Sequence, residues 1–206
     1  MYNSKKGAMF GMDARISLAI FGSLSVITGA SIHSAILDSN ATKLLTNMQE
    51  VGKAYAQYVL DNREGLYPTA TSSPSKYILR SADMVVKHAT YGTRNWNGPY
   101  IDYPVSAHYL LYPDYNNLHI MILSRDDTSW GETTKWADGI CSAGKKCGLW
   151  VHINGIDDLD LIKEVDNKVD GGDGSTAGKF KYTDYISANG TYTINYMFDV
   201  ADNPND

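Results

Sequence analysis

The chain has 206 residues, 43% hydrophobic and 20% charged, with 18 basic against 23 acidic side chains for a net charge of −5. That composition excludes disordered, collagen-like and coiled-coil chains, fits one globular domain plus an appendage or at most two small domains, and by its sign argues against electrostatic nucleic-acid binding. The mean hydropathy of −0.30 reads as soluble, yet residues 1–15 carry +2 (Lys5, Lys6, Arg15, Asp13), residues 16–37 carry no charge and the remainder carries −7.

From Ile16 to Leu37 the chain runs 22 residues without a formal charge. About 20 helical residues cross a hydrocarbon core of roughly 30 Å, so this segment can span a membrane. Ser17, Ser23, Ser25, Thr28, Ser31, His33 and Ser34 interrupt the apolar run, while Gly22, Ser25 and Gly29 recur at helical spacing. Small side chains on one face let another backbone approach, which suits helix packing better than lipid. His33 reads either as a functional intramembrane group or as a residue matched to a neighbour's polar face. A secretory signal cut between Ala30 and Ser31 is the competing reading. Against it, Ala41, Leu44, Leu45, Met48, Val51, Tyr55, Tyr58 and Val59 continue an i, i+3, i+4, i+7 stripe beyond the apolar run. One helix from Asp13 to about Asn62 would be roughly 75 Å long at 1.5 Å per residue.

Residues 66–206 are long enough for a single core. Gly65, Pro68, Pro74 and the Thr69–Ser75 stretch mark an exit loop, and Ser81 to Lys87 reads as a short second helix. Leu118–Ser124 and Leu149–Asn154 are rich in strand formers, separated by a polar excursion from Arg125 to Gly148. Asp157 or Asp158 can cap a helix carrying Leu159, Ile162, Val165 and Val169, which the Asp170-to-Gly174 run ends. Lys179–Ile186 and Thr191–Val200 then alternate across Asn189-Gly190, the pair a tight hairpin turn requires. The pattern predicts an α+β body covered by the amphipathic half of the long helix. Tyr100, Tyr103, Tyr109, Tyr112 and Tyr115 crowd one segment, as a contact surface or as a core edge.

A short basic leader, an acid just before an apolar helix that turns amphipathic, and a Gly-Leu-Tyr-Pro stretch at Gly65–Pro68 together resemble the type IV pilin and type II secretion pseudopilin superfamily. Two further stretches are similar to segments of that family: Trp96-Asn-Gly-Pro-Tyr-Ile101, and Asp166-Asn-Lys-Val-Asp-Gly-Gly172 with Thr176-Ala-Gly178. The resemblance implies a pilin-like α+β fold with a leader at 1–8, a transmembrane and filament-core helix at 9–37 and a periplasmic or extracellular body at 38–206. It implies cleavage and methylation by a prepilin peptidase, with Gly7, Ala8 and Met9 around the cut. It implies storage in the inner membrane, then self-association into a filament driven by an assembly platform and an ATPase motor. In that family a glutamate at the fifth mature position neutralises the neighbouring subunit's amino terminus; here the acid is Asp13, and Arg15 follows it. Cutting at Ala8–Met9 makes Asp13 the fifth residue, cutting after Gly7 the sixth and after Gly11 the second. The first register is preferred, because an Asp entering hydrocarbon is costly unless paired and a free amine is the available partner. In the plainer alternative, Asp13 and Arg15 flank the span at headgroup level. Assembly then rests on Asp13, Gly22, Ser25 and Gly29.

Cys141 and Cys147 are the only cysteines. In a body outside the cytoplasm an even count reads as a disulfide, whereas a metal site would need more ligands, with His152 the nearby histidine. Asp166, Asp170 and Asp173 offer hard oxygens to calcium, which major pseudopilins bind in a loop of their body. The stretch lacks the EF-hand pattern, and a solvated helix end closed by an αL glycine explains the same residues without metal. No His-Glu-x-x-His or Gly-x-Ser-x-Gly is present, and the glycine run before Lys179 fits neither a phosphate loop nor a dinucleotide fingerprint. The chain therefore reads as a structural subunit and not an enzyme, with no cofactor beyond the calcium candidate. The alternatives are a membrane-anchored binding module or adhesin and an anchored enzyme.

Overall fold

A computed structural model describes residues 7–72, 75–91, 95–112, 115, 118–126, 141, 143–186 and 190–203, with residues 7–10, 75 and 184–186 described in backbone only. The chain divides into two compact units, Met1–Asn40 and Ala41–Asp206. The elements in order are α1 (Gly7–Asn62), β1 (Ile78–Leu79), β2 (Val105–Ser106), β3 (Tyr109–Tyr112), β4 (Leu118–Asp126), β5 (Cys147–Ile156), α2 (Leu159–Asp170), β6 (Phe180–Ile186) and β7 (Thr191–Ala201). Short 3₁₀ turns stand at Ser75–Tyr77 and Ser81–Met84.

In the first unit, α1 is long and apolar enough to cross a membrane, and none of its most apolar stretch is buried within the protein. Its large apolar side chains from Met12 to Ile36 are 55–72% exposed. Four of the interrupting hydroxyls are satisfied inside the helix itself. Ser23, Ser25, Thr28 and Ser31 donate to the carbonyls of Ile20, Phe21, Leu24 and Ile27 at 2.8–3.0 Å. Such back-bonding removes the penalty these residues would otherwise carry in an apolar medium.

In the second unit, Ala41, Leu44, Met48, Val51, Tyr55 and Tyr58 of α1 are all buried. Their alternating three- and four-residue spacing makes one stripe, and that stripe covers the sheet. The seven strands among the described residues form one antiparallel sheet in the order β2-β3-β4-β5-β7-β6, with β1 also paired to β4. Register aligns Leu110, Ile120, Ile153, Ile194 and Tyr182 across five strands, all buried. Asn47 of α1 donates to the hydroxyl of Tyr112, on the same face as Leu110, and Tyr55 meets Phe198 of β7 edge-on at 5.5 Å. The body is α+β, as its strand and helix patterning implies.

Both long predicted strands and the final pair of strands form, β4 and β5 extending to Asp126 and from Cys147. The residues between them, 127–140, lie outside the described residues, as does Asn189 of the predicted hairpin turn; Gly190 has φ 63°. The helix expected over Ser81–Lys87 is instead a single 3₁₀ turn ending at Met84. Tertiary bonds claim it: Ser81 Oγ donates to Ile120 O and accepts from Leu110 N, and Ala82 N donates to His108 O. Strands β1, β2 and β3 carry no clear alternation in sequence and form by pairing along β4 and β3.

Gly52 of α1 packs tightly against β7, since an added Cβ would stand 2.9 Å from Phe198 Cγ. Gly52→Leu should therefore destabilise the body by about 1–3 kcal/mol through overpacking, seen as a lowered denaturant midpoint with unchanged slope.

Candidate functional site

The processing residues Gly7, Ala8 and Met9 are helical in backbone, and their side chains lie outside the described residues. Asp13, Gly22, Ser25 and Gly29 are exposed on α1. A Cβ built on Gly22 or Gly29 meets nothing within 4 Å. Packing among the described residues thus gives no reason for glycine at either place.

Cys141 and Cys147 are joined in a disulfide with Cα atoms 5.7 Å apart, and both are buried beside Tyr77 and Ala201. Bonded sulfurs offer no thiolate to a metal. His152 lies five residues further along β5, about 16 Å in an extended strand, so the mixed Cys–His site does not form. Its Nδ1 is 2.7 Å from Asn195 Oδ1 on β7. Burial, and after it the positive charge of Arg125, push the His152 pKa down to about 3, against a smaller raising effect of the Asn195 bond.

The stretch from Asp166 to Phe180 is built around three carboxylates. Asp158 caps α2, accepting from Leu161 N at 2.9 Å, and Gly171 in the left-handed region (φ 74°) closes it. Asp170 Oδ2 then accepts from the backbone N–H of Lys179 at 2.8 Å and of Phe180 at 2.7 Å, while Tyr182 N donates to Ser175 O. The end of α2 and the loop after it therefore satisfy amides at and just before the start of β6, the last strand of the sheet among the described residues. An uncovered edge of this kind invites intermolecular pairing. Gly178 is required beside Asp170, because a Cβ there would stand 2.3 Å from Asp170 Oδ2.

One ligand atom from each of Asp166, Asp170 and Asp173 lies within 4.8 Å of the others, with Asp166 buried, Asp170 half-buried and Asp173 exposed. Asp166 Oδ2 accepts from Gly174 N at 3.1 Å, but Oδ1 is buried and has no hydrogen-bond partner. Burial raises the Asp166 pKa; the Gly174 bond opposes this, and the charges of Asp173 and Asp170 add to it. A hard cation is the kind of group that such a carboxylate set fits.

The Trp96–Ile101 stretch clamps the end of α1. Trp96 Nε1 donates to Asp83 O, Tyr100 N to Met84 O and the Tyr100 hydroxyl to Asp61 Oδ2. Gly98 admits the two rings around it, since a Cβ would meet Trp96 and Tyr100 within 2.9 Å. Tyr112 is buried and Tyr100, Tyr103, Tyr109 and Tyr115 are half-buried, so the tyrosine-rich segment is a core edge. An open groove of about 320 Å³ lined by Gln49, Gly52, Lys53, Ala56, Tyr196, Phe198 and Asp199 contains neither histidine nor cysteine. Sequence reasoning did not find the part Asp170 plays towards β6, because its partners lie nine and ten residues away and no local pattern marks them.

No family model, curated protein or solved structure matches the chain.

Two outcomes follow from these contacts. Asp170→Ala should cost about 1–3 kcal/mol and speed amide exchange at Lys179 and Phe180, read by thermal unfolding and hydrogen exchange. Between the unfolded histidine pKa near 6.5 and the folded value of about 3, the unfolded chain binds a proton that folded His152 refuses. Its contribution is thus complete above about pH 6.5 and is lost as pH falls towards 3. A Tm-against-pH series should show that decline, and His152→Gln should flatten it.

Proposed function

We propose that the protein is a structural subunit of a filament of the type IV pilus or type II secretion pseudopilus kind. It is made as a single-pass inner-membrane precursor with its body in the periplasm. One observation carries this reading: α1 joins a segment whose large apolar side chains are uncovered to a stripe that covers a sheet. A simple tether needs only an apolar span. Here the span also carries glycines with open space beside them and hydroxyls already bonded to their own helix, the surface another helix can approach closely.

On this reading a prepilin peptidase cuts between Ala8 and Met9 and the new amine is methylated. The basic leader with Lys5 and Lys6 stays on the cytoplasmic side. Subunits leave lipid for helix packing, so apolar area is exchanged between two dry environments and never exposed to water. Asp13 meets the amine of a neighbour, which removes the cost of carrying a lone carboxylate into the filament core. A membrane platform with an ATPase motor adds subunits one at a time, and the α+β bodies lie outside the bundle of helices.

Mass spectrometry of the mature protein should give a methylated amino terminus at Met9. An intact Met1 would favour a tethered binding module, and a start at Ser31 or Ile32 would sink the filament reading. Asp13→Ala should abolish filaments seen by electron microscopy while leaving the thermal unfolding of the body unchanged.

A further inference from the structure

The uncovered half of α1 carries two charges that its own helix leaves unanswered. From Met9 to Leu37, Asp13 and Arg15 are the only residues with a formal charge. Both are exposed on α1, and neither has an ion pair among the described residues. Partners within a helix stand three or four residues away. Those places hold no cation around Asp13 and no acid around Arg15. Two residues along an α-helix amount to a rise of about 3 Å and a turn of about 200°, so the acid and the base stand at nearly one level on opposite sides of the helix.

We propose that Arg15 of one subunit pairs with Asp13 of a neighbouring subunit, and that this pair fixes the register of the helices in the filament core. The pairing rests on the filament reading above and adds to it a residue, Arg15, that the contact between Asp13 and a neighbour's amine leaves unbalanced. After a cut at Ala8–Met9 this stretch of each subunit brings two cations, the amine and Arg15, against one carboxylate. An amine can release its proton on entering a dry medium, whereas a guanidinium keeps its charge. Arg15 is therefore the cation that needs an anion, and Asp13 is the acid that the same stretch of a second copy offers. A guanidinium holds a carboxylate through parallel N–H···O bonds, and a carboxylate has about four acceptor sites, so Asp13 keeps room for the amine as well.

Opposite faces matter here as much as opposite signs. The Arg15 side of one helix meets the Asp13 side of the next, so each copy uses two different surfaces. Such a contact is heterologous, and it repeats from copy to copy into an open helical array instead of closing on a dimer. Gly11 lies one turn before Arg15, and a Cβ built there meets nothing within 4 Å. A neighbouring backbone can therefore come close beside the arginine stem. A slip of one residue turns either charge by about 100° away from its partner. The pair thus selects one register, which the apolar side chains around it, at home in lipid and in helix packing alike, do not.

The test uses chromosomal variants of the full chain, with leader cleavage followed by mass spectrometry and filaments by electron microscopy. Arg15→Leu keeps the span apolar but leaves Asp13 without its guanidinium, and should lower filament yield about tenfold or more with cleavage and body unfolding unchanged. Arg15→Lys should recover much of that yield, since lysine keeps the charge without the fork. A direct reading comes from Arg15→Lys copies mixed as a minority into wild-type filaments and treated with dicyclohexylcarbodiimide. The reagent joins a carboxylate to an amine in contact with it, forming an amide while the carboxyl oxygen departs with the reagent as a urea. The expected product links the introduced amine to Asp13 of a wild-type copy, and is recognised as intermolecular because the two peptides differ at position 15. Arg15→Leu assembling as well as wild type overturns the proposal, as does the absence of that amide from treated filaments, the result expected if Arg15 meets only lipid phosphate. If Arg15→Leu also blocks leader cleavage, the amide alone decides. A wild-type chain that forms no filaments sinks the filament reading instead, so the two failures are told apart.

Discussion

Ten large apolar side chains between Met12 and Ile36 are more than half exposed in the chain taken alone. Burying a residue of that kind contributes about 1.5–3 kcal/mol, so leaving all ten in water forfeits on the order of 10 kcal/mol or more. That is as large as the whole stability of an ordinary domain. This half of α1 therefore needs an environment that the described residues do not supply. Ser23, Ser25, Thr28 and Ser31 have already turned inwards to their own carbonyls, which reduces the polarity of the uncovered surface.

The remainder of α1 meets a different condition. From Ala41 onward one stripe is apolar and buried, and the sheet beneath presents a continuous apolar row from Leu110 to Tyr182. The opposite face of the same strands carries His152, Asn195 and Lys181 in register. A β-strand alternates its side chains between faces, so one strand serves an apolar contact and a polar row at once. The burial of His152 has a thermodynamic consequence, because a ring that cannot accept a proton couples the sheet to pH.

At the edge of that sheet the arrangement is electrostatic. Among the described residues β6 has no strand beyond it, and the end of α2 with the loop after it stands there, Asp170 and Ser175 accepting from the edge amides. Using carboxylates for this task brings three negative groups together at a helix end that already disfavours them. The cost is greatest at Asp166, where one oxygen is buried and unpaired.

The amino-acid sequence by itself determined whatever depends on local periodicity. It set the charge-free run, the stripe from Ala41 to Val59, the cap at Asp158, the αL closure at Gly171 and the alternation of the last two strands. Each follows from side-chain spacing or from a single residue's backbone preference. The pairing of Cys141 with Cys147 was legible too, since only five residues lie between them and no third cysteine competes. Tertiary structure alone decided the rest. Ser81–Lys87 has the residues for a helix, yet hydrogen bonds to His108, Leu110 and Ile120 hold a single 3₁₀ turn there. β1, β2 and β3 exist because partners in register accept them. Asp170 guards β6 only because the chain returns nine residues later to place two amides against it. These features depend on contacts between residues distant in sequence, whose energies no local pattern encodes.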